Sequence, residues 1–386
     1  MKSVAKTEAF VRALEKLNDE QRKAVETIEG PVMVIAGPGT GKTQILTLRI
    51  ANILLRTDMQ PENILALTFT DSGAKAMRER LCTYIGGLAY RVPIYTFHGF
   101  AEYLISRHPD FFPRIIGGRP ATDIEKIRIV ESIVTDPTLK MVRPLGNPTY
   151  YVRPLESMIS TLKQENISPD RLREIIATQE DALQATEKIH QKGAHKGKVR
   201  GEYAALEKVI EKNRELLHVY VRYEALLREG RLYDFQDMIL EAVRALSLNE
   251  TLLRELQESF QYVLADEHQD VNGAQNKILE LLTNFHDSPN IFVVGDEKQA
   301  IYRFQGASLE NFLYFTDIFP TTKTIALTTN YRSGQSILDV AQAAISTEDE
   351  LVAKLRTPLI AVTKDAALTE IRAFSHQAIE DEYLVT

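Results

Sequence analysis

One short stretch near the amino terminus, Ala36-Gly37-Pro38-Gly39-Thr40-Gly41-Lys42-Thr43, constrains this chain more than any other. It follows an apolar run at residues 32–35 that is typical of a buried strand. It precedes residues 44–55, whose apolar positions recur at helical spacing. A strand, a glycine-rich turn and a helix in this order are the context of a phosphate-binding loop. The sequence therefore predicts a site for a nucleoside triphosphate.

The residues of this loop have separate tasks. Gly39 and Gly41 let the backbone curl so that successive N–H groups point at one anion, to which the helix N-terminus adds partial positive charge. Lys42 can then reach the outer phosphates, and the Thr43 hydroxyl can hold Mg²⁺. Upstream, the amide of Gln21 offers a donor and an acceptor that suit an adenine edge, although a helical glutamine is more often simply solvated.

Composition limits the class of protein without deciding it. The chain has 386 residues, which suggests two or three domains, and 44% of them are apolar, enough for sizeable cores. Its net charge of −7 means that a polyanion must be met by a local basic face. No apolar run is long enough to span a bilayer, and the amino terminus has no signal-peptide core. With one cysteine, Cys82, we expect a cytoplasmic protein without a disulfide framework.

Further apolar runs alternate with helical patterns, which favours an α/β fold with a parallel sheet; they lie at residues 64–69, 92–97, 262–265, 291–294 and 324–327. In such sheets ligands bind where strands end. The candidate contacts to a substrate strand lie at the carboxyl ends of the runs 64–69 and 92–97. They are Thr68, Phe69, Thr96, Phe97 and His98. Taken singly, the two phenylalanines are more often core residues, and the histidine is more often a satisfied polar group.

The alternation stops between residues 109 and 230, where the sequence is charged and helix-like, and it resumes near Tyr233. We interpret the intervening stretch as a helical insertion. Within it, residues 188–200 are positively charged, and they either contact nucleic-acid phosphates or form a solvated loop.

Acidic and basic residues follow the later strands. Asp266 can bind Mg²⁺, and Glu267 can polarise the water that attacks a γ-phosphate. Gln299 can contact that phosphate or that water, and Arg332 can stabilise the charge that develops on it. Aromatic residues close to Gln299 can stack on bases; these are Tyr302 and Phe304.

Together these stretches resemble the UvrD/Rep/PcrA family of superfamily 1 DNA helicases, in matching order from about residue 17 to residue 333. The matching stretches are Gln21 and residues 36–43, 67–70, 77–80, 96–98, 234–237, 266–270, 294–299, 302–307 and 330–333. The resemblance implies a RecA-like P-loop NTPase domain with a parallel sheet and a helical inserted domain. It also implies ATP and Mg²⁺ as cofactors, and 3′-to-5′ movement on single-stranded or partly duplex DNA, with no membrane.

The resemblance also assigns residues to each task. It implies a catalytic set of Lys42, Asp266, Glu267, Gln299 and Arg332, with Thr43 and Asp266 on the metal. The implied nucleotide contacts are Gln21, Pro38, Gly39, Thr40, Gly41, Lys42, Thr43, Gln44, Tyr331 and Arg332. The implied DNA contacts are Thr68, Phe69, Thr96, Phe97, His98, Tyr302 and Phe304. Four positions depart from the family: Gln44 replaces an arginine that commonly packs on adenine, Phe304 replaces a tryptophan, Gln305 an arginine and Asp71 an asparagine.

The resemblance implies a division of the chain into a first motor domain, residues 1–108 and 231–325, interrupted by the insertion at 109–230. Residues 326–386 would open a second motor domain. Nothing after Ser333 resembles that domain's motifs, so we expect an amino-terminal fragment that hydrolyses ATP poorly alone. Two alternatives are the motor portion of a helicase–nuclease and a DNA-binding clamp that is gated by ATP without moving.

Overall fold

Ten strands lie in the part of the chain that the structure describes. In a computed structural model, the described residues are 7–191, 196–296, 309–344, 358–364, 370 and 372–385. The strands within them are β1 Val32–Ala36, β2 Ile64–Thr68, β3 Ile94–Thr96, β4 Arg119–Pro120, β5 Leu232–Tyr233, β6 Tyr262–Ala265, β7 Ile291–Gly295, β8 Lys323–Leu327, β9 Thr329–Asn330 and β10 Ile360–Ala361.

Six of these strands form one central sheet in the order β3-β2-β6-β7-β1-β8, and every neighbouring pair is parallel. β1, β2, β6 and β7 are buried along their whole length. Strands buried on both faces have continuous apolar sequences, which is the pattern that the sequence presents. The predicted α/β class and parallel sheet are confirmed. Because all six strands run in one direction, their carboxyl ends share one edge.

Helices cover the sheet and form the stretch between β4 and β5. In chain order they are α1 Glu8–Glu15, α2 Asp19–Glu26, α3 Lys42–Arg56, α4 Asp71–Ile85, α5 Phe97–Arg107, α6 Pro113–Ile116, α7 Asp123–Val134, α8 Val152–Gln164, α9 Pro169–Ala185, α10 Gly201–Glu229, α11 Phe235–Leu248, α12 Glu250–Ser259, α13 Gly273–Thr283, α14 Leu309–Ile318, α15 Gln335–Ala344 and α16 Gln377–Val385. None of these described helices combines the length and the apolar character that crossing a bilayer requires.

Threonine caps turn the chain sharply where two strands meet their helices. The Thr70 hydroxyl accepts a hydrogen bond from the Gly73 N–H and begins α4 after β2, and Thr96 does the same for Gly99 at the start of α5. Each cap satisfies an N–H group that the first helical turn leaves without a partner. The residues that follow β2 and β3 are therefore held at the common edge of the sheet.

The helical stretch has an apolar core of its own, separate from the two clusters that flank the central sheet. Its buried residues come mainly from α7, α8, α9 and α10, between Val130 and Leu227. The sequence predicts that the central sheet resumes near Tyr233, and this prediction is wrong. β5 pairs only with β4, outside the central sheet, and α11 begins directly at Phe235.

A buried arginine ties α3 to α2. The Arg49 guanidinium, 1% exposed, donates to the carbonyl of Ala24 at 2.8 Å, to that of Thr27, and to that of Ile28 at 3.2 Å. It also lies over the Phe292 ring, 4.4 Å from its centroid. Burial lowers the pKa of Arg49 to about 9. The helix that starts at the phosphate loop thereby satisfies the carbonyl groups at the end of α2.

Candidate functional site

The glycine-rich loop at residues 36–43 connects β1 to α3 and has the backbone of an anion cradle. Gly39 and Gly41 have φ values of +73° and +94°, in the left-handed region that favours glycine. A Cβ atom on Gly39 would lie 2.7 Å from Cβ of Arg332, so the loop also needs glycine for close approach. The Thr40 hydroxyl closes the turn by donating to the Gly37 carbonyl at 2.7 Å.

The segment after β8 is fastened to this loop. The Asn330 side chain donates from Nδ2 to the Pro38 carbonyl at 2.5 Å, and its Oδ1 accepts from the N–H groups of Arg332 and Ser333 at 2.8 Å each. The Tyr331 N–H donates to the Gly39 carbonyl at 3.0 Å. Arg332 is therefore held beside the loop, where the sequence predicts it.

The loop, Glu267 and Arg332 surround a cavity of about 630 Å³, which we call the loop cavity. Its lining includes most of the predicted nucleotide contacts: Pro38, Gly39, Gly41, Lys42, Thr43, Gln44, Tyr331 and Arg332. Arg80, on α4, also lines it. The family resemblance matches residues 77–80 but does not include Arg80 among the implied nucleotide contacts, so sequence reasoning missed this position.

Gln21 lies behind the loop. It is 4% exposed, and its Nε2 donates to the Thr40 carbonyl at 2.8 Å. Its Oε1 accepts from the Asn18 N–H at 3.2 Å in the capping box of α2. In this arrangement the amide supports the loop, and its contact with adenine stays a prediction.

The two acids after β6 differ in environment. Lys42 Nζ lies 2.8 Å from Glu267 Oε2 inside the loop cavity. Glu267 has φ +47°, an uncommon backbone for a residue with a side chain, which points to a functional constraint. Asp266 is 6% exposed, and desolvation, with the nearby Glu267 charge, raises its pKa to about 6.

The environment of Asp266 fits a bound cation. A carboxylate whose charge is disfavoured by burial gains stability when a metal ion lies against it, and Mg²⁺ prefers oxygen ligands. The other predicted oxygen ligand, the Thr43 hydroxyl, lies at the start of α3 and lines the loop cavity. These are the two predicted metal ligands.

A glutamine that sequence reasoning left without a role joins the acids to the next strand. Gln269 Nε2 donates to Glu267 Oε2 at 2.9 Å, and at 3.3 Å to Asp270 Oδ2. Its Oε1 accepts from the Asp296 N–H, directly after β7, at 2.8 Å. Glu267 is thus held from two sides, by Lys42 and by Gln269.

A second cavity, of about 1000 Å³, opens beside the carboxyl ends of β2 and β3. We call it the strand-end groove, and its lining includes five predicted DNA contacts: Thr68, Phe69, Thr96, Phe97 and His98. Phe69 is 44% exposed, whereas Phe97 is 2% exposed and belongs to the core. Thr68 is buried, and the Thr96 hydroxyl is engaged as a helix cap. Phe69 is therefore the more accessible of the two phenylalanines.

Phe235 is an aromatic residue of this groove that the predicted DNA contacts did not include. Its ring, on a side chain 61% exposed, stacks on His98 with centroids 3.7 Å apart and planes 14° apart. Burial lowers the pKa of His98 to about 4, so its ring is neutral at neutral pH. The local signal was an aromatic residue directly after the capping residue Asp234. The predicted Gln299, Tyr302 and Phe304 lie outside the described residues.

Comparisons with known proteins identify relatives of this chain. The UvrD/REP helicase N-terminal domain family matches residues 17–320. A relative from Leuconostoc citreum, named ATP-dependent DNA helicase PcrA, is 31% identical over 88% of this chain and 40% of its own length. Proteins of the same name from Staphylococcus epidermidis and Staphylococcus aureus are 33% and 32% identical, each over 87% of this chain and 41% of their own length. The chain thus spans about two fifths of the length of these curated relatives.

Proposed function

Because the chain belongs to the UvrD/REP helicase N-terminal domain family, we propose that it supplies the ATP-binding part of an ATP-dependent DNA helicase. The observation that carries the proposal is the adjacency of two sites. The loop cavity, with Lys42, Glu267 and Arg332, and the strand-end groove, with Phe69, lie along one edge of the sheet. Strands β6 and β2, after which Glu267 and Phe69 follow, are direct neighbours.

In the loop cavity, ATP is the expected ligand. The N–H groups of the loop and Lys42 bind the β- and γ-phosphates, and Tyr331, in the cavity lining, is expected to contact the base. Thr43 and Asp266 would hold Mg²⁺, which neutralises charge on the phosphate oxygens during transfer. Glu267 orients and polarises the attacking water, and Arg332 stabilises the charge that develops on the transferred group. Arg80 adds a second cation to the same cavity.

In the strand-end groove, single-stranded DNA is the expected ligand. Phe69 and Phe235 offer exposed rings on which bases can stack, and stacking tolerates every base. The described part of the groove also has Asp71, Glu102 and Asp270 in its lining, so its attraction for DNA comes from stacking more than from local charge. We infer movement in the 3′-to-5′ direction, as the family resemblance implies.

We also propose that the chain is divided as the resemblance implies, with a helical insertion at residues 109–230 inside a first motor domain. The separate apolar core of α7 to α10 supports that division. The expected boundary between residues 325 and 326 falls inside β8, which ends at Leu327 and pairs with β1. A second motor domain would therefore begin after that strand.

The test is DNA-stimulated phosphate release by the full-length protein that contains this chain, compared with its Glu267→Gln variant. The motor proposal expects release to rise with added single-stranded DNA and to fall at least a hundredfold in the variant, since the general base is lost. A rate of phosphate release that does not change when DNA is added would contradict the motor proposal. Absence of turnover in both proteins, with ATP-dependent DNA binding retained, would instead identify a clamp.

A further inference from the structure

A lysine of the helical insertion lies at the centre of a cage of carboxylates. Lys163, on α8, is 1% exposed. Its Nζ lies 2.5 Å from Glu224 Oε1, 2.6 Å from Asp234 Oδ2 and 2.9 Å from Asp237 Oδ1. These three acids are close enough together to hold a metal ion, and the ammonium group occupies that centre. Their charges hold the pKa of Lys163 well above its usual value despite burial.

A second cation completes the cluster. Arg114, on α6, lies 2.8 Å from Asp237 Oδ2 and 3.1 Å from Glu224 Oε2. A buried lysine and a half-buried arginine thus face three buried carboxylates, and desolvation above all raises the pKa of Asp237 to about 6. Removing Lys163 would leave the three acids with Arg114 and, 3.8 Å from Glu224, the exposed Arg228 as their described cations. An uncompensated buried charge is strongly unfavourable, so the acids would rearrange, by moving apart or by taking up a proton.

Two of these acids build the first turn of α11. Asp234 is its capping residue, and Oδ1 of Asp234 accepts from the Asp237 N–H at 3.0 Å. In return, Oδ2 of Asp237 accepts from the Asp234 N–H at 2.9 Å. The first residue of the helix is Phe235, whose ring stacks on His98 in the strand-end groove. The carboxylates that bind Lys163 therefore also set the backbone from which the Phe235 ring projects.

We propose that Lys163 is a positioning residue for the base-stacking surface of the groove. It fixes the position of the start of α11 relative to α8. A movement of the insertion would therefore also move the Phe235 side chain. This inference rests on the proposed function, because it requires that DNA bind in the strand-end groove. It extends that function by assigning the insertion a direct role at the DNA contact.

A double-mutant cycle tests the proposal, with Lys163→Met, Phe235→Ala and the combination. The affinity for an oligo-dT strand is measured by anisotropy, and stacking by the quenching of a 2-aminopurine base. Phe235→Ala is expected to weaken binding roughly 5- to 150-fold. Lys163→Met should weaken DNA binding by a similar factor when Phe235 is present. In the Phe235→Ala background it should weaken binding by less than twofold, because the two changes remove the same contact. If the loss of DNA affinity in the double variant equals the product of the losses in the two single variants, the proposal is contradicted.

A charge-compensated variant separates positioning from folding. Lys163→Met/Asp234→Asn removes one of the unpaired acids and keeps a good capping residue, so it should restore both the melting temperature and the affinity for DNA. Recovery of the melting temperature without recovery of affinity would contradict the proposal. Lys126→Met is the matched control, since Lys126 is an insertion lysine that pairs with Asp123 and Glu156 instead.

The same measurements distinguish this inference from the proposed function. If Phe69→Ala weakens DNA binding and Phe235→Ala does not, the groove still binds DNA and only the role of Lys163 fails. If neither change affects binding, DNA does not use the groove and both proposals fail.

Discussion

Lys42 and Glu267 form an ion pair across the loop cavity, with 2.8 Å between the lysine Nζ and the glutamate Oε2. The two groups are assigned to different partners in catalysis, the phosphates and the water. A γ-phosphate that binds Lys42 must therefore compete with Glu267 for the same ammonium group. The pair holds both side chains in the cavity until that competition occurs.

We predict that Glu267→Gln binds ATP more tightly than the wild type, roughly two- to tenfold, because Lys42 no longer has to leave a charged partner. The gain is modest since the Glu267 side chain is 36% exposed and solvent screens the pair. Lys42→Met should lose most of the affinity. Titration with a fluorescent ATP analogue measures both. Glu258→Gln, an exposed change on α12, is the control, and equal affinities for the wild type and Glu267→Gln would contradict the idea.

Stacking in the groove gives a second prediction. Phe69→Ala and Phe235→Ala should each weaken binding of single-stranded DNA by about 1–3 kcal/mol, with little change in the affinity for ATP. Anisotropy of a labelled oligonucleotide provides the measurement. Phe285→Ala, which removes another exposed ring after α13, should leave DNA binding unchanged. Equal losses in all three variants would point to a general effect on the fold.

The raised pKa of Asp266 predicts a pH-dependent stability difference. The folded state binds the proton of the Asp266 carboxyl group more tightly than the unfolded chain does. The contribution of this group to the free energy of unfolding is therefore greatest below about pH 4 and is lost as the pH rises to about 6. Asp266→Asn removes the buried charge. We expect it to be more stable than the wild type at pH 8, by up to about 3 kcal/mol, and equal to it near pH 4.

Urea unfolding of both proteins across this pH range measures that difference. Asp237 and Asp270 also have pKa values raised to about 6, but they are common to both proteins and cancel. Asp58→Asn, at an exposed position, should differ from the wild type by less than about 0.5 kcal/mol at every pH. A constant offset between wild type and Asp266→Asn would show that the buried charge is not its cause.

Arg49 gives a prediction about the frame of the site. Arg49→Met leaves the carbonyl groups of Ala24, Thr27 and Ile28 without their donor, and we expect a loss of about 2–4 kcal/mol in the free energy of unfolding. Arg56→Met, on the same helix, removes an exposed ion pair at 3.3 Å and should cost less than about 1 kcal/mol. Denaturant unfolding compares them, and similar losses would contradict the assigned role.

The sequence predicts the parts of this molecule that depend on local pattern. The loop of Gly39 and Gly41 needs a strand before it and a helix after it, and both are visible in the apolar spacing. That Lys42 and Glu267 meet follows from one rule, because parallel strands end at one edge. The roles of Phe69 and Phe97 could not be separated in this way. Which ring points outward depends on how α5 packs on the sheet.

Long-range packing produced the features that sequence reasoning missed. The stack of His98 on Phe235 joins the starts of two helices that are far apart in the chain. Arg80 lines the loop cavity because of the rotation of α4, which the helical spacing leaves open. Lys163 has the sequence pattern of a solvated helical lysine. Its burial is determined by acids that the fold brings from α10 and α11.

The Asn330 side chain gives this chain a direct mechanical linkage. The side chain donates to the Pro38 carbonyl, and the backbone carbonyl of Asn330 accepts from the Val362 N–H, beside β10. Residues 358–364 are therefore linked to the glycine-rich loop through this asparagine. A displacement of β10 would then also displace the loop that we propose binds a triphosphate.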